Sequence, residues 1–165
     1  MLRMLLRDPQ SPQPDQRFFD LMRDFATTFD GREATTADFA SVVDRHLTPE
    51  LDATGTGSAA WFFDQWVYGT ELPRYSAELT VEKADKGRFR IRGTLTQSGV
   101  SDSFLALVPV YVDLGDGRLA TFGRAPFRGS MTRELDVTLE LPRKPKRVGL
   151  NFRREVLALE ARRPS

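Results

Sequence analysis

Apolar residues recur at helical spacing over the first part of this chain and alternate with polar ones from Ser76 onward. Three helical segments come first. MLRMLL is apolar on more than one side, with Arg3 and Arg7 together on what remains, and Pro9, Pro12 and Pro14 follow it with a loop. Phe18, Leu21, Met22, Phe25 and Phe29 then sit at i, i+3, i+4, i+7 and i+11, an amphipathic stripe that Asp15 is placed to cap and Gly31 to end. In the third segment Thr35 and Asp38 form a T-x-x-D variant of the capping box. Behind them Phe39, Val42, Val43 and Leu47 form the apolar face, and Pro49 closes it.

The stretch Trp61 to Tyr75, WFFDQWVYGTELPRY, separates the two patterns. Phe62, Phe63, Trp66 and Val67 fall on one face of a short helix, with Ser58 as its expected cap after the flexible Thr54–Ser58 turn. Gly69 is expected in the left-handed position that ends such a helix, and Pro73 prevents a restart. Aromatic side chains bury roughly 150–250 Å² each, so this cluster is expected at a seam between helical and sheet parts, with no catalytic residue on it.

From Ser76 the period is two. Ala77, Leu79 and Val81, then Phe89, Ile91, Gly93 and Leu95, alternate with polar neighbours on either side of an Ala84–Gly87 turn, a hairpin with one wet face. Phe104 to Val112 is almost continuously apolar, as a strand buried on both sides should be, with Pro109 arguing for a bulge or an edge. Leu119–Gly123, Leu135–Leu141, Val148–Phe152 and Val156–Leu159 complete some seven short strands. The expected fold is α+β: a helical bundle remnant over residues 1–72, then an antiparallel fibronectin- or immunoglobulin-like β-sandwich over residues 73–165.

Composition narrows the functional classes. With 165 residues the chain suits one domain, or a small one joined to part of another. No apolar run approaches the roughly 20 residues a membrane helix needs. MLRMLLRDPQ carries a charge inside its apolar stretch and has no small-residue cleavage site, unlike a secretory signal. The absence of cysteine excludes disulfides and thiolate metal sites, and leaves the compartment open. Residues 1–75 hold 7 basic against 12 acidic side chains, residues 76–165 hold 17 against 11. Two independently solvated surfaces explain this best, docking of an acidic layer on a basic one less well. A nucleic-acid face fits poorly, because the arginines alternate along strands without a binding motif.

Candidate chemistry is sparse. His46 is the only histidine, and one histidine without cysteine needs several converging carboxylates to hold zinc. Neither H-E-x-x-H nor G-x-S-x-G occurs. Asp113–Gly117 lacks the spaced ligands and terminal glutamate of a calcium loop and reads as a hairpin turn. Gly55 and Gly57 lack the strand and the Gly-Lys-Ser/Thr of a phosphate cradle. Asp20, Asp24 and Asp44 are expected solvated on polar helix faces. Arg143–Arg147 places four charges in five residues at a turn, a solvated loop first and an anion contact second. No catalytic, cofactor-binding or metal-binding residue is therefore expected in this chain.

The order of segments adds information. Ala34-Thr35-Thr36-Ala37-Asp38-Phe39, the Phe62–Pro73 run, Val108-Pro109-Val110 and Pro145-Lys146-Arg147-Val148-Gly149-Leu150-Asn151 follow one another across nearly the whole chain. That series resembles the downstream part of the aminopeptidase N-type (gluzincin) zinc metallopeptidases, where a helical catalytic domain closes with similar motifs and a fibronectin-like sandwich follows. The resemblance implies that the zinc ligands, the exopeptidase strand and the tyrosine that steadies the transition state lie ahead of Met1, whose helix then reads as a cut through a longer one. A native start is the other reading. The resemblance further implies zinc for the parent and none for this segment, with the upstream catalytic domain as partner and peptides as the parent's substrates. A role in nucleic-acid or membrane binding is not implied. Glu71 departs from the glycine usual in relatives, and the parent is expected to lack the large helical cap that many relatives carry beyond this point, unless the segment is trimmed at both ends. The expected role is a non-catalytic wall and buttress of a peptide-hydrolysing parent. The alternatives are a binding or scaffolding module of a pseudo-peptidase relative and, remotely, an independent enzyme using His46.

Overall fold

The structure, a computed structural model, describes residues 1–85, 87–115 and 117–159. It is an α+β chain that divides into two compact units, Met1–Thr70 and Glu71–Ser165. No helix among the described residues is long and apolar enough to cross a membrane.

The helical unit holds α1 (Leu2–Leu6), α2 (Gln16–Thr28), α3 (Thr36–Arg45) and α4 (Ala60–Trp66). Helix α1 is only five residues long, and its Met4, Leu5 and Leu6 are buried. In α2 the expected stripe buries Leu21 fully, while Met22 stays exposed. Asp15 occupies the N-cap position of α2 without capping it. Its carboxylate instead accepts from Arg3 at 2.5 Å, a charge-assisted bond stronger than a neutral cap bond. Gly31 has φ +65 in the turn that follows, a conformation that glycine adopts without steric cost.

The Thr35–Asp38 capping box forms in full: Thr35 Oγ1 accepts from the Asp38 N–H at 3.2 Å, and the Asp38 carboxylate accepts from the Thr35 N–H at 2.8 Å. Val42 and Val43 are buried. The helix stops at Arg45, with His46 as its C-cap, so Leu47 lies beyond the face it was expected to join.

Helix α4 departs from expectation at both ends. Ala59, not Ser58, is its N-cap. Asp44 of α3 accepts the Ala59 N–H at 2.7 Å and a bond from the Ser58 hydroxyl, while Ser58 Oγ accepts from the Ala60 N–H at 3.1 Å. At the other end Gly69 is not left-handed. Val67 and Tyr68 both donate their N–H to the Phe63 carbonyl, and the chain then folds so tightly that a Cβ on Gly69 would lie 2.5 Å from the Gln65 carbonyl oxygen. Glycine is required there for close approach, not for its φ. Phe62 and Phe63 are buried, Trp66 is half-buried, and Val67 is exposed.

The second unit contains β1 (Arg74–Lys83), β2 (Arg88–Ser98), β3 (Leu105–Asp113), β4 (Leu119–Arg128), β5 (Met131–Glu140) and β6 (Arg147–Leu150). They form two antiparallel three-stranded sheets, ordered β1-β2-β5 and β4-β3-β6. In the first sheet the period-two pattern is obeyed: Phe89, Ile91, Leu95 and Gln97 of β2 are buried and the arginines between them are exposed. Those arginines are matched by carboxylates from the flanking strands. Arg90 forms a bidentate pair with Asp136 of β5 (2.8 and 2.5 Å), and Arg92 reaches Glu82 of β1 at 3.1 Å. Contacts from the first sheet toward the chain of the second include the Tyr75 and Phe127 rings at 5.9 Å, the Gln97 amide donating to the Gly129 carbonyl at 2.8 Å, and Arg133 donating to the Pro126 carbonyl at 2.6 Å.

In the second sheet β3 is central, and Val108 to Asp113 are all buried. Its register shifts between Val110 and Tyr111, the bulge that Pro109 pointed to. The Pro109 carbonyl accepts from the Asn151 N–H at 2.9 Å, one residue past the end of β6. An extended residue directs its N and O to the same side, so the N–H that Pro109 lacks falls where the partner strand has already ended. Strand β4 continues to Arg128, five residues past the expected Gly123, and includes Pro126. An edge strand tolerates proline because one side of its ladder is unpaired. Val156–Leu159, expected as a strand, makes only an isolated parallel bridge from Leu159 to Arg74, so the described residues contain six named strands where seven were expected. Glu71 has a use of its own: its carboxylate accepts the Ser101 N–H at 2.7 Å and ties the lead-in of β1 to the β2–β3 loop.

Candidate functional site

The densest polar cluster in the helical unit surrounds Asp24. Its position on α2 faces the C-terminal end of α3, so the last basic residues of α3 reach it. Arg45 donates through Nε and Nη2 at 3.2 and 3.0 Å, Thr28 Oγ1 donates at 3.1 Å, and His46 Nε2 stands 2.9 Å from Oδ2. A cation at a helix C-terminus is favoured by the helix dipole, which adds to the reason Arg45 sits there. The Arg45 hydrogen bond first, and then that of His46, hold the Asp24 carboxyl down to about 2.

This geometry corrects the expectation that Asp20, Asp24 and Asp44 are simply solvated. Asp20 accepts from Gln16 and Arg23 at 2.8 and 2.7 Å, and Asp44 anchors the start of α4. Chemically, the Asp24 cluster is a clamp between α2 and α3. The histidine–carboxylate pair has the separation of a catalytic dyad, but the hydroxyl beside it, Thr28, donates to the carboxylate and not to the imidazole, where a nucleophile would. No group of three or more His, Asp or Glu side chains gathers among the described residues in a way that could hold a metal ion.

Protonating Asp24 should therefore loosen the clamp. Its folded pKa lies below the roughly 3.9 of an unperturbed aspartate, so its contribution is complete above pH ~4 and is lost as pH falls toward ~2. In urea titrations of the helical unit across that window, Asp24→Asn should show a flatter acid limb than the native chain. Some slope remains, because Asp15 and Asp38 are also held below the usual carboxylate range, by the Arg3 hydrogen bond and by Thr35 respectively. Identical slopes would show that the clamp does not contribute.

A second polar centre lies at one end of the second sheet. Asp113 ends β3 and accepts the Gly115 N–H at 2.9 Å and two bonds from Arg147, through Nε at 3.2 Å and Nη2 at 3.0 Å. The Gly115 N–H, and then Arg147, keep its carboxyl below the usual range. The Asp113–Gly117 segment is thus a hairpin turn, closed by bonds between Leu114, Gly115 and Arg118, with Asp116 outside the described residues. Arg147 also stacks its guanidinium 5.0 Å over the Phe152 ring. Phe152 stacks on Tyr111 with centroids 6.1 Å apart, Arg153 lies 5.7 Å over Tyr111, and the Tyr111 hydroxyl donates to Glu155.

Sequence reasoning gave none of Tyr111, Phe152, Arg153 or Glu155 a part. The only signal was the Phe152-Arg153-Arg154 run, which is too common to single out. Gly55 and Gly57 lie in an exposed turn where the Gly57 N–H donates to the Asp52 carboxylate, with both glycines at positive φ. Comparison with protein-family models and with curated proteins finds no match for this chain.

Proposed function

We propose that this chain is a non-catalytic, C-terminal segment of a zinc-dependent aminopeptidase of the aminopeptidase N type, acting as structural wall and buttress for a catalytic domain encoded upstream. The observation that carries the reading is that the segments on which the resemblance rests meet in pairs. Phe39, which ends the Ala34–Phe39 motif, packs edge-on against Phe63 of the Phe62–Pro73 run at 6.2 Å. Pro109, in the proline-bearing core strand, accepts the backbone bond of Asn151, which ends the Pro145–Asn151 segment. Motifs roughly 25 and 40 residues apart thus meet in pairs, as coupled parts of one fold do.

The second unit is, in this reading, a fibronectin-type sandwich. Its pairings β1-β2-β5 and β3-β6 correspond to the A-B-E and C-F adjacencies of an immunoglobulin-like sandwich, with the fourth strand beside the third. In this reading zinc is held outside this segment. His46 is committed to Asp24, and the described carboxylates that could join it are held by arginines or backbone N–H groups. Zinc, and the water activation it supplies in such peptidases, belongs to residues ahead of Met1.

The coding sequence upstream of Met1 tests this directly. H-E-x-x-H followed by a distal glutamate is expected, and the longer polypeptide should release amino-terminal residues from aminoacyl-nitroanilides while residues 1–165 alone release none. An upstream sequence with the same fold but without those ligands would favour a scaffolding module instead. Zinc-dependent hydrolysis by residues 1–165 would overturn the proposal.

A further inference from the structure

We infer that the end of the second sheet formed by the β3–β4 turn, the β5–β6 loop and the turn after β6 is a docking surface for a carboxylate-rich segment of another protein. The inference stands on that surface alone and does not depend on the parent's activity.

The strand register brings the basic residues together. Asp113 pairs with Leu119 on one side and with Arg147 on the other, so the β3–β4 turn and the β5–β6 loop emerge side by side. The Lys146 N–H donates to the Asp113 carbonyl at 2.7 Å, and Arg153 crosses to the Leu119 carbonyl at 3.3 Å. Arg118, Lys146, Arg147 and Arg153 are all exposed and share this end, with Lys144 two residues before Lys146. The described acids that face them are Asp113, covered by Arg147 and only 12% exposed, and Glu155, engaged by the Tyr111 hydroxyl. With Asp116, which belongs to the same turn by sequence and lies outside the described residues, five basic residues stand against three acidic ones, so the surface carries an excess of positive charge although the whole chain has a net charge of only +1. By contrast, Arg90 and Arg92 of β2 are matched by Asp136 and Glu82.

Two of these guanidinium groups are already ordered. Stacking on Phe152 and Tyr111 fixes the planes of Arg147 and Arg153, so less side-chain entropy is lost when they bind. Arg147 uses two of its N–H donors on Asp113 and Arg153 one on Leu119, leaving donors on each for an outside acceptor. A carboxylate is the acceptor that matches this fork, and Asp113 demonstrates the fit. Single-stranded nucleic acid suits the surface less well. Tyr111 is 2% exposed, and Phe152 lies between Tyr111 and Arg147, so neither ring offers a face on which a base could stack.

Fluorescence anisotropy with a labelled Glu-Gly repeat peptide of about ten residues, at low and at physiological salt, tests the inference on the full chain. The double variant Lys144→Glu/Lys146→Glu should weaken binding at least about tenfold, and Arg153→Gln should weaken it severalfold. Lys83→Glu/Arg88→Glu, with the same change in net charge at the β1–β2 hairpin, should leave it within about twofold of the native chain. Equal loss in the two double variants, no binding at low salt, or tighter binding of a single-stranded oligonucleotide of matched charge would each overturn the assignment.

Discussion

Phe63→Ala is expected to lower the stability of the helical unit by about 3–5 kcal/mol, the range for removing a large buried aromatic side chain. Phe63 lies in a chain of ring contacts that crosses three helices. Phe29 meets Phe25 at 5.3 Å on α2, Phe25 meets Phe39 of α3 at 5.0 Å, and Phe39 meets Phe63 of α4 at 6.2 Å. Phe63 continues the chain to Phe62 at 5.6 Å and Phe62 to Trp61 at 5.9 Å. Of these rings only Phe62 and Phe63 are buried, and of the two Phe63 is the one that meets a ring of α3, so its loss leaves a cavity between the helices. Domains of this size are stable by only several kcal/mol, so the substitution removes a large part of the total. Both tryptophans belong to α4, which makes indole fluorescence in urea a reporter of the helical unit. Phe19→Ala is the control: that ring is 49% exposed, and its removal should cost less than about 1 kcal/mol. Equal midpoints for native chain and Phe63→Ala would show that α4 contributes little to this core.

Phe63 also marks how far periodicity can be read. The strands with one buried face, β1, β2 and β5, were legible because a one-residue slip would send every apolar side chain to solvent, so the pattern leaves one register. The capping box at Thr35 was legible because both of its bonds lie within four residues of each other. What remained hidden depends on contacts distant in sequence. Ser58 looked like a cap until Asp44, fourteen residues away, took the Ala59 N–H. Gly69 suggested a left-handed turn, but the constraint is a carbonyl four residues back, which no propensity records. Strand β4 runs through Pro126 because it is an edge strand, and sheet order cannot be read from a single strand.

The polar clusters follow the same division. Asp24, Arg45 and His46 were visible as residues, but their convergence needs the crossing of α2 and α3, and a local reading left the carboxylate in solvent. The Arg143–Arg147 run was noted as an anion contact only in second place. Its significance comes from Arg153 and Arg118, which the register of β3 with β4 and β6 brings to the same end. Aromatic rings were even less informative before the fold was known. Phe152 reads as the third apolar residue of a strand after Val148 and Leu150, and only the turn at Asn151 swings it over Tyr111.

That turn carries the second large effect: Asn151→Ala is expected to destabilise the sheet unit by about 2–4 kcal/mol. Asn151 has φ 55, a left-handed conformation that costs most residues about 1–2 kcal/mol and asparagine less. Its side chain also satisfies both backbone groups of a residue five positions on. Nδ2 donates to the Val156 carbonyl at 2.7 Å, and Oδ1 accepts the Val156 N–H at 3.0 Å. Val156 is 3% exposed, so water does not readily replace these bonds, and an unsatisfied buried group costs about 1–3 kcal/mol. Asn151→Gly separates the two contributions. Glycine removes the backbone strain but not the lost hydrogen bonds, so it should recover about 1 kcal/mol relative to alanine and no more. Urea unfolding followed by far-ultraviolet circular dichroism gives the stabilities, and hydrogen exchange at the Val156 amide reads the local bond directly. If glycine restores full stability, the side-chain bonds are immaterial and backbone strain alone selects asparagine. If alanine leaves both stability and Val156 protection unchanged, the bond from the Asn151 N–H to Pro109 is enough to close β6, and the loop that places Phe152 and Arg153 is held by their ring contacts alone.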